Sequence, residues 1–328
     1  MLIKEESINR FFNGKAFFIL MAVIFLIATP IAMLKGRVPV QGSTSGVLFS
    51  SASVLNLLPT LSMWLNIIAI LGICALMIEL NKIFSFIRQV TLLYGSMFLM
   101  LQVSDPYVTT TLFDGTLLAL FVVATTYIIF NSFQSSTSKR SIYITFTILS
   151  AACTFQYAFL YLIPVYFIGF LQMRAMSLKG TIAMILGLIT PFWILLGFGI
   201  VTFSDFMPPH LANVWDHLDL TQSGMLISSA AITGLLTLIL LVVNAFHILS
   251  YRTQIRAYNG FFTILSVFTI LAMMIDYNNI LIYLPMLNIC LAIQMAHFFT
   301  INTYRRRYLI IFLFIIACTA IYLWRITY

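Results

Sequence analysis

An all-α bundle of membrane-spanning helices is the fold class that this sequence predicts, and three observations carry it. Hydrophobic residues make up 62% of the chain and charged residues 8%, against roughly a quarter charged in a soluble domain. Apolar runs recur from residue 16 to the C-terminus, several of them near the ~20 residues that cross a hydrocarbon core as a helix. The polar intervals between them reach only about twenty residues, too few for a soluble domain. The chain therefore reads as a single integral membrane domain over residues 1–328.

Taken in order, the predicted spans are 16–34, 59–80, 89–103, 115–133, 141–155, 157–173, 180–203, 224–250, 260–275, 280–300 and 308–324, which makes about 11. The first follows a basic stretch with Lys4, Arg10 and Lys15. Its run is longer than the 7–15 residues of a signal-peptide core, and no small-residue cleavage site follows, so it is read as an uncleaved span. Residues 141–173 are either one long helix or two short ones broken near Gln156. Charge decides for two. With two helices and a cytoplasmic N-terminus, all Lys and Arg except Lys35, Arg37 and Arg325 fall on the inner side. One long helix would spread them almost evenly over both sides, against the bias of cytoplasmic loops toward Lys and Arg. The acids play no part in that choice, yet Asp105, Asp114, Asp205, Asp216, Asp219 and Asp276 all land outside.

The spans at 89, 141 and 260 are short. Fifteen helical residues reach only ~22 Å of a ~30 Å core. Such helices are either flanked by snorkelling cations such as Arg88 and Arg140, or they sit below a cavity on the outer side. The first outer loop, 35–58, is rich in Gly and Ser, and its half from 47 to 58 is apolar enough to lie on the interface. In the loop 204–223, Leu211, Val214, Trp215 and Leu218 have the spacing of a short interfacial helix.

The net charge of +8 is spread over short loops, as orientation requires, and does not describe a nucleic-acid partner. Cys74, Cys153, Cys290 and Cys318 all lie in apolar runs, where cysteine serves as a small hydrophobe. No Gly-rich phosphate loop, G-x-S-x-G, H-E-x-x-H or C-x-x-C motif occurs,, no metal ligand set is assigned, and no cofactor is identified. No span carries a charge near its centre, which speaks against ion-coupled transport. Asn66, Gln102, Asn131, Gln156, Asn244, Asn288 and Gln294 read as interhelical hydrogen-bond glue.

Chemistry-bearing candidates gather in the stretch 100–116, MLQVSDPYVTTTLFDGT. Asp105 is either a general base or metal ligand at the outer face, or the start of a turn before Pro106. Asp114 is either a second catalytic acid or the cap of the following span. Lys35 and Arg37, cations on the acid-rich side, bind either a phosphate group of a lipid-linked substrate or ordinary headgroups. Asp216 and His217, with Asp219 and His210 nearby, form either a second substrate contact or a solvated loop; their spacing fits no metal template. His247 and His297, near inner helix ends, read as terminus-stabilising or packing residues.

Residues 89–203 resemble the conserved module of the C-type (GT-C) membrane glycosyltransferases. The resemblance runs through a short apolar helix, the outer turn Asp105–Pro106, an acid opening the next helix at Asp114–Gly115, and the basic loop Lys139–Arg140. The segments ILSAACTFQYAFLYLIPVYFIGF and RAMSLKGTIAMILGLITPFWILLGFG complete it. The same stretch is similar to a family of uncharacterised multi-spanning bacterial membrane proteins. The resemblance implies a multi-pass protein of the bacterial inner (plasma) membrane. It would act on a polyprenyl-phosphate-linked sugar in cell-envelope glycan assembly, with membrane lipids and other membrane proteins as partners. One departure stands out: the first outer loop of those transferases carries a catalytic acid, and residues 35–58 hold none. The alternative is therefore a non-catalytic transporter or accessory subunit of an envelope complex, and whether the chain is an enzyme stays open between the two.

Overall fold

The computed structural model describes residues 2–37, 46–48, 57–87, 92–135, 138–205, 220–301 and 307–327, which form helices and turns with no strand among them. An N-terminal helix that the apolar pattern does not announce, α1 (Leu2–Asn13), leads through Gly14 into α2 (Lys15–Leu34). Then come α3 (Pro59–Phe84), α4 (Leu93–Ser104), the single turn α5 (Pro106–Thr109) and α6 (Asp114–Asn131). The hairpin α7 (Ser138–Phe155) and α8 (Leu162–Gln172) follows, joined by a 3-10 turn at Tyr157–Tyr161. The chain ends with α9 (Leu178–Gly197), α10 (Leu220–Ile248), α11 (Thr253–Ile275), α12 (Ile280–Ile301) and α13 (Arg307–Thr327).

Each expected span coincides with a helix, and eight of the described helices are long and apolar enough to cross a membrane. The α4 helix and the segment Tyr157–Gln172 are shorter apolar pieces. Local signals set several ends. Pro59 opens α3, where a missing N–H costs nothing, and Ser85 closes it in the left-handed conformation at φ 48°. Ser177 caps α9 by accepting the Gly180 N–H at 3.2 Å,.

The break at Gln156 is real. Gln156 is extended (φ −152°, ψ 121°), and the Gln134 N–H donates to Met173 O at 3.1 Å. The chain thus returns to where it entered α7. Among the spans expected to be short, α11 is a correction: it starts at Thr253 and runs 23 residues. Its polar first turns are helical because Gln254 donates to Tyr258 at 2.7 Å and Asn259 donates to Phe86 O at 3.0 Å.

The core is organised around α12, whose apolar window is 94% buried. It packs against α4, α6, α10 and α11, and a helix apolar on all sides belongs inside a bundle. Opposite in character are α9 and α13, at 11% and 17% buried. They turn Trp193, Leu186, Leu313 and Ile316 outward, the surface that a lipid phase covers. The α4 helix is only ~18 Å long by its residue count, yet every residue in it except Val103 is buried. A helix too short to span is held here by protein on all sides, as the shortfall requires.

Contacts sort the bundle into two ends. Asp105, Gln156, Asn279 and Arg325 lie at one, with the turns between α4 and α6, α7 and α8, and α11 and α12. Tyr258, Gln134, Met173 and Phe86 lie at the other.

Candidate functional site

The turn between α4 and α6 is sunk into the bundle. Asn66 Nδ2 on α3 donates to Val108 O at 3.0 Å and to Thr109 O at 2.9 Å. Ser62 Oγ accepts the Leu112 N–H at 3.0 Å. Asn66 lies ~10 Å along α3 from its first residue, at 1.5 Å per residue, so the turn is well below the helix end. On the other side, a Cβ at Gly115 would come within 2.6 Å of Ile282 O on α12. Only glycine lets α6 start that close. Non-helical backbone at this depth is tolerated where protein buries it or a polar cavity takes it up.

Asp105 anchors the turn. Its Oδ1 stands 2.6 Å from Arg325 Nη1 near the end of α13, and both side chains are 1% exposed. Oδ2 accepts from Ser229 on α10 at 3.3 Å. Asp105 is therefore neither an exposed turn residue nor a carboxylate open to solvent. A buried ion pair is costly to break from one side, by about 3–5 kcal/mol. To abstract a proton, Asp105 would have to exchange Arg325 for a substrate hydroxyl. The charge pattern of the sequence puts Arg325 on the same side as Asp105 without pairing the two. The available signal was a lone arginine ending an apolar span, which in a membrane has to find a counter-charge.

Asp114 is the first residue of α6, and the N-cap position belongs to Phe113, which corrects the capping expectation. The Asp114 carboxylate instead accepts from Gln156 Nε2 at 2.6 Å, tying the sunken turn to the tip of the α7–α8 hairpin. Arg37 is half-buried and donates to Ile326 O at 3.2 Å and to Tyr107 OH at 3.5 Å. Lys35 closes α2 and is exposed. These four expected site residues thus fall at one end of the bundle, three of them on or beside the 105–116 turn. Asp216 and His217, with the expected interfacial fragment at 211–218, lie outside the described residues, as does most of the first loop. Of that loop, residues 46–48 rest on the α7 tip, where the Leu48 N–H donates to Thr154 O at 2.9 Å.

In the sequence Gln102 and Asn66 read as interhelical glue, and Thr110 and Thr116 have no assigned role. All four are fully buried. Among the described residues, both amide atoms of Gln102, Asn66 Oδ1, and the hydroxyls of Thr110 and Thr116 find no hydrogen-bond partner. Each such group carries a desolvation cost of about 1–3 kcal/mol, and native proteins leave few of them. Others lie elsewhere in the bundle, at Asn81, Thr145, Asn288 and His297, while these five atoms sit in or flank one turn. A second polar knot lies at the same end: Asp276 accepts from Asn279 at 2.6 Å and from Tyr283 at 2.9 Å, and the Tyr283 ring meets Tyr161 edge-on.

An apolar groove of about 270 Å³ runs between α10 and α11, lined by Ala230, Gly234, Ile270 and Met273 among others. Its lining on α10 begins at Ile227, two residues before Ser229, whose hydroxyl reaches Asp105. His297 is buried in α12 at the far end, and the four cysteines are buried and free. Among the described residues, no three of His, Cys, Asp and Glu come together as a metal site. Comparison with known proteins gives no match to any family model, curated protein or solved structure.

Proposed function

We propose that this chain is an eleven-span protein of the bacterial inner membrane, with its N-terminus in the cytoplasm and the Asp105 end facing outward. There it receives the head of a polyprenyl-phosphate-linked sugar during cell-envelope glycan assembly. The observation that carries the reading is the sunken 105–116 turn with the Gln102 amide, Asn66 Oδ1 and the hydroxyls of Thr110 and Thr116, buried with no hydrogen-bond partner among the described residues. Amide and hydroxyl groups are what a polyhydroxylated ligand satisfies, since each sugar hydroxyl both donates and accepts. Tyr107 and Phe113 add aromatic surface, packed at the edge of the core. Lys35 and Arg37 at the rim match a phosphate, and the groove between α10 and α11 offers an apolar path beside the turn. The orientation is supported by the distribution of Lys and Arg between the two ends.

If a glycosyl group is transferred at this site, in the manner of the GT-C enzymes, Asp105 and Asp114 are the acids at hand. The engagement of Asp105 by Arg325 favours a second reading, a non-catalytic transporter or an accessory subunit of an envelope complex. In that reading the turn binds the sugar without altering it.

The test is binding by the purified protein in nanodiscs, comparing a short-chain prenyl-phosphate-linked sugar with the same prenyl phosphate lacking the sugar. The sugar-linked form binds more tightly, and Gln102→Leu with Thr110→Val removes that difference. Equal binding of the two lipids by the unaltered protein contradicts the reading. Transfer to an acceptor, lost in Asp105→Asn, separates the enzyme from the subunit.

A further inference from the structure

We propose that the turn between α10 and α11 binds the phosphate headgroup of an anionic membrane phospholipid, with Arg252 and Arg256 as its cationic contacts. The site lies at the end of the bundle away from Asp105 and does not depend on the sugar reading.

A cavity of about 440 Å³ opens at this turn, lined among the described residues by Ser250, Tyr251, Arg252 and Ile255. Arg252 is the N-cap of α11, and Arg256 follows one helical turn later. Both side chains are exposed, and neither forms an ion pair among the described residues. Just before the turn, Phe246 and Leu249 are 74% and 64% exposed. An apolar surface thus adjoins the cations.

The charge around the turn can be counted from the whole sequence. This end of the bundle carries every Lys and Arg except Lys35, Arg37 and Arg325, and its acids are Glu5, Glu6 and Glu79. Glu79 is bound to Lys82 at 3.5 Å, and Glu5 and Glu6 belong to α1, which packs on α2 and α13. From residue 220 onward the only acid is Asp276. It closes α11 at the opposite end, ~34 Å along that helix,. Asp205, Asp216 and Asp219 belong to the link that enters α10 from the opposite end, ~43 Å along that helix,. The stretches 88–91 and 302–306 contain no carboxylate, and the second adds Arg305 and Arg306. Helices α10 to α13 therefore bring only cations to this end.

Without an anion the arrangement is unfavourable. Like charges one helical turn apart repel, and both stand at the positive end of the α11 dipole. A phosphate reverses both effects, gripped by the guanidinium forks. The exposed Phe246 and Leu249 give a place to the chains of a lipid, which a free phosphate does not have. Basic pockets between helices at a membrane surface take anionic headgroups in this way.

The experiment uses the full-length protein in non-ionic detergent, titrated with short-chain phosphatidylglycerol, short-chain phosphatidylcholine and inorganic phosphate, with bound lipid counted by native mass spectrometry. Phosphatidylglycerol binds more tightly than phosphatidylcholine, and its affinity falls as salt rises. Inorganic phosphate at the same concentration does not displace it. Each arginine contributes about fivefold and the pair about thirtyfold, so Arg252→Gln with Arg256→Gln weakens phosphatidylglycerol by that factor and leaves phosphatidylcholine unchanged. Lys139→Gln with Arg140→Gln removes the same charge from another exposed turn at this end and leaves both affinities unchanged.

Equal weakening by the two double variants means general surface charge and overturns the site. Phosphatidylglycerol binding no more tightly than phosphatidylcholine overturns the anionic ligand, and displacement by inorganic phosphate overturns the lipid source. Thermal unfolding without lipid adds a check on the arginines themselves. The Arg252→Gln, Arg256→Gln variant melts at or above the parent, because two repelling charges are gone. Melting below the parent would mean that the arginines are held by the protein, and would overturn their assignment to a ligand.

Discussion

Arg325 Nη1 lies 2.6 Å from Asp105 Oδ1 with both side chains sealed from solvent, so the last helix and the turn after α4 are joined by a buried ion pair. Neutralising one member strands the other. Arg325→Gln or Asp105→Asn alone lowers stability by about 3–5 kcal/mol, whereas the joint change Asp105→Leu with Arg325→Met lands close to the parent, because two apolar groups replace a pair that was costly to desolvate. Thermal melting in detergent measures all three. A joint variant no more stable than the singles contradicts the account.

Two glycines hold helices at contact distance. A Cβ at Gly115 meets Ile282 O at 2.6 Å, and one at Gly187 meets Tyr143 O at 2.8 Å. Backbone carbonyls cannot swing aside as side chains do. Gly115→Ala separates α6 from α12, and Gly187→Ala separates α7 from α9, each destabilising by about 1–3 kcal/mol. Gly72→Ala, where nothing lies within 4 Å, leaves the melting temperature unchanged or raises it.

Asn66 holds the sunken turn through two carbonyls. Asn66→Leu fills the space but leaves Val108 O and Thr109 O without that donor, at a cost of about 1–3 kcal/mol each. Hydrogen exchange rises over residues 108–112 and stays as before in α12. A uniform rise across the chain would mean that Asn66 stabilises the bundle and not the turn.

Most of the helical plan was legible because apolar run length answers directly to bilayer thickness. The runs behind α2, α3, α10 and α12 could hardly be anything else. Even the break at Gln156 was available from charge. Other features were hidden for physical reasons. The depth of α4 depends on which neighbours surround it, and its own residues read like any short apolar run. The polar residues opening α11 are accommodated by Gln254 pairing with Tyr258 inside the helix and by Asn259 reaching Phe86 O on another segment. The Asp105–Arg325 pair links positions far apart along the chain, which local pattern cannot join. Asp105 and Asp114 were found as polar residues in an apolar context. Thr110 and Thr116 carry no such signal, and Gln102 reads only as glue, because hydroxyls and amides at helix ends usually have neighbours to satisfy them.

The two-ended arrangement carries its own check. Lys35→Cys and Lys139→Cys place exposed thiols at opposite ends, while the four native cysteines are buried. In intact cells, a membrane-impermeant maleimide labels the cysteine at 35 and reaches the one at 139 only after lysis. Labelling of both from the same side contradicts the proposed orientation.

If the 105–116 turn takes the head of a lipid-linked sugar, hydrogen exchange with and without that ligand reads the contact at the turn itself. Saturating prenyl-phosphate-linked sugar slows exchange in residues 104–113 and at the start of α6. Bound ligand with unchanged exchange in that turn, and protection somewhere else in the bundle, would contradict it.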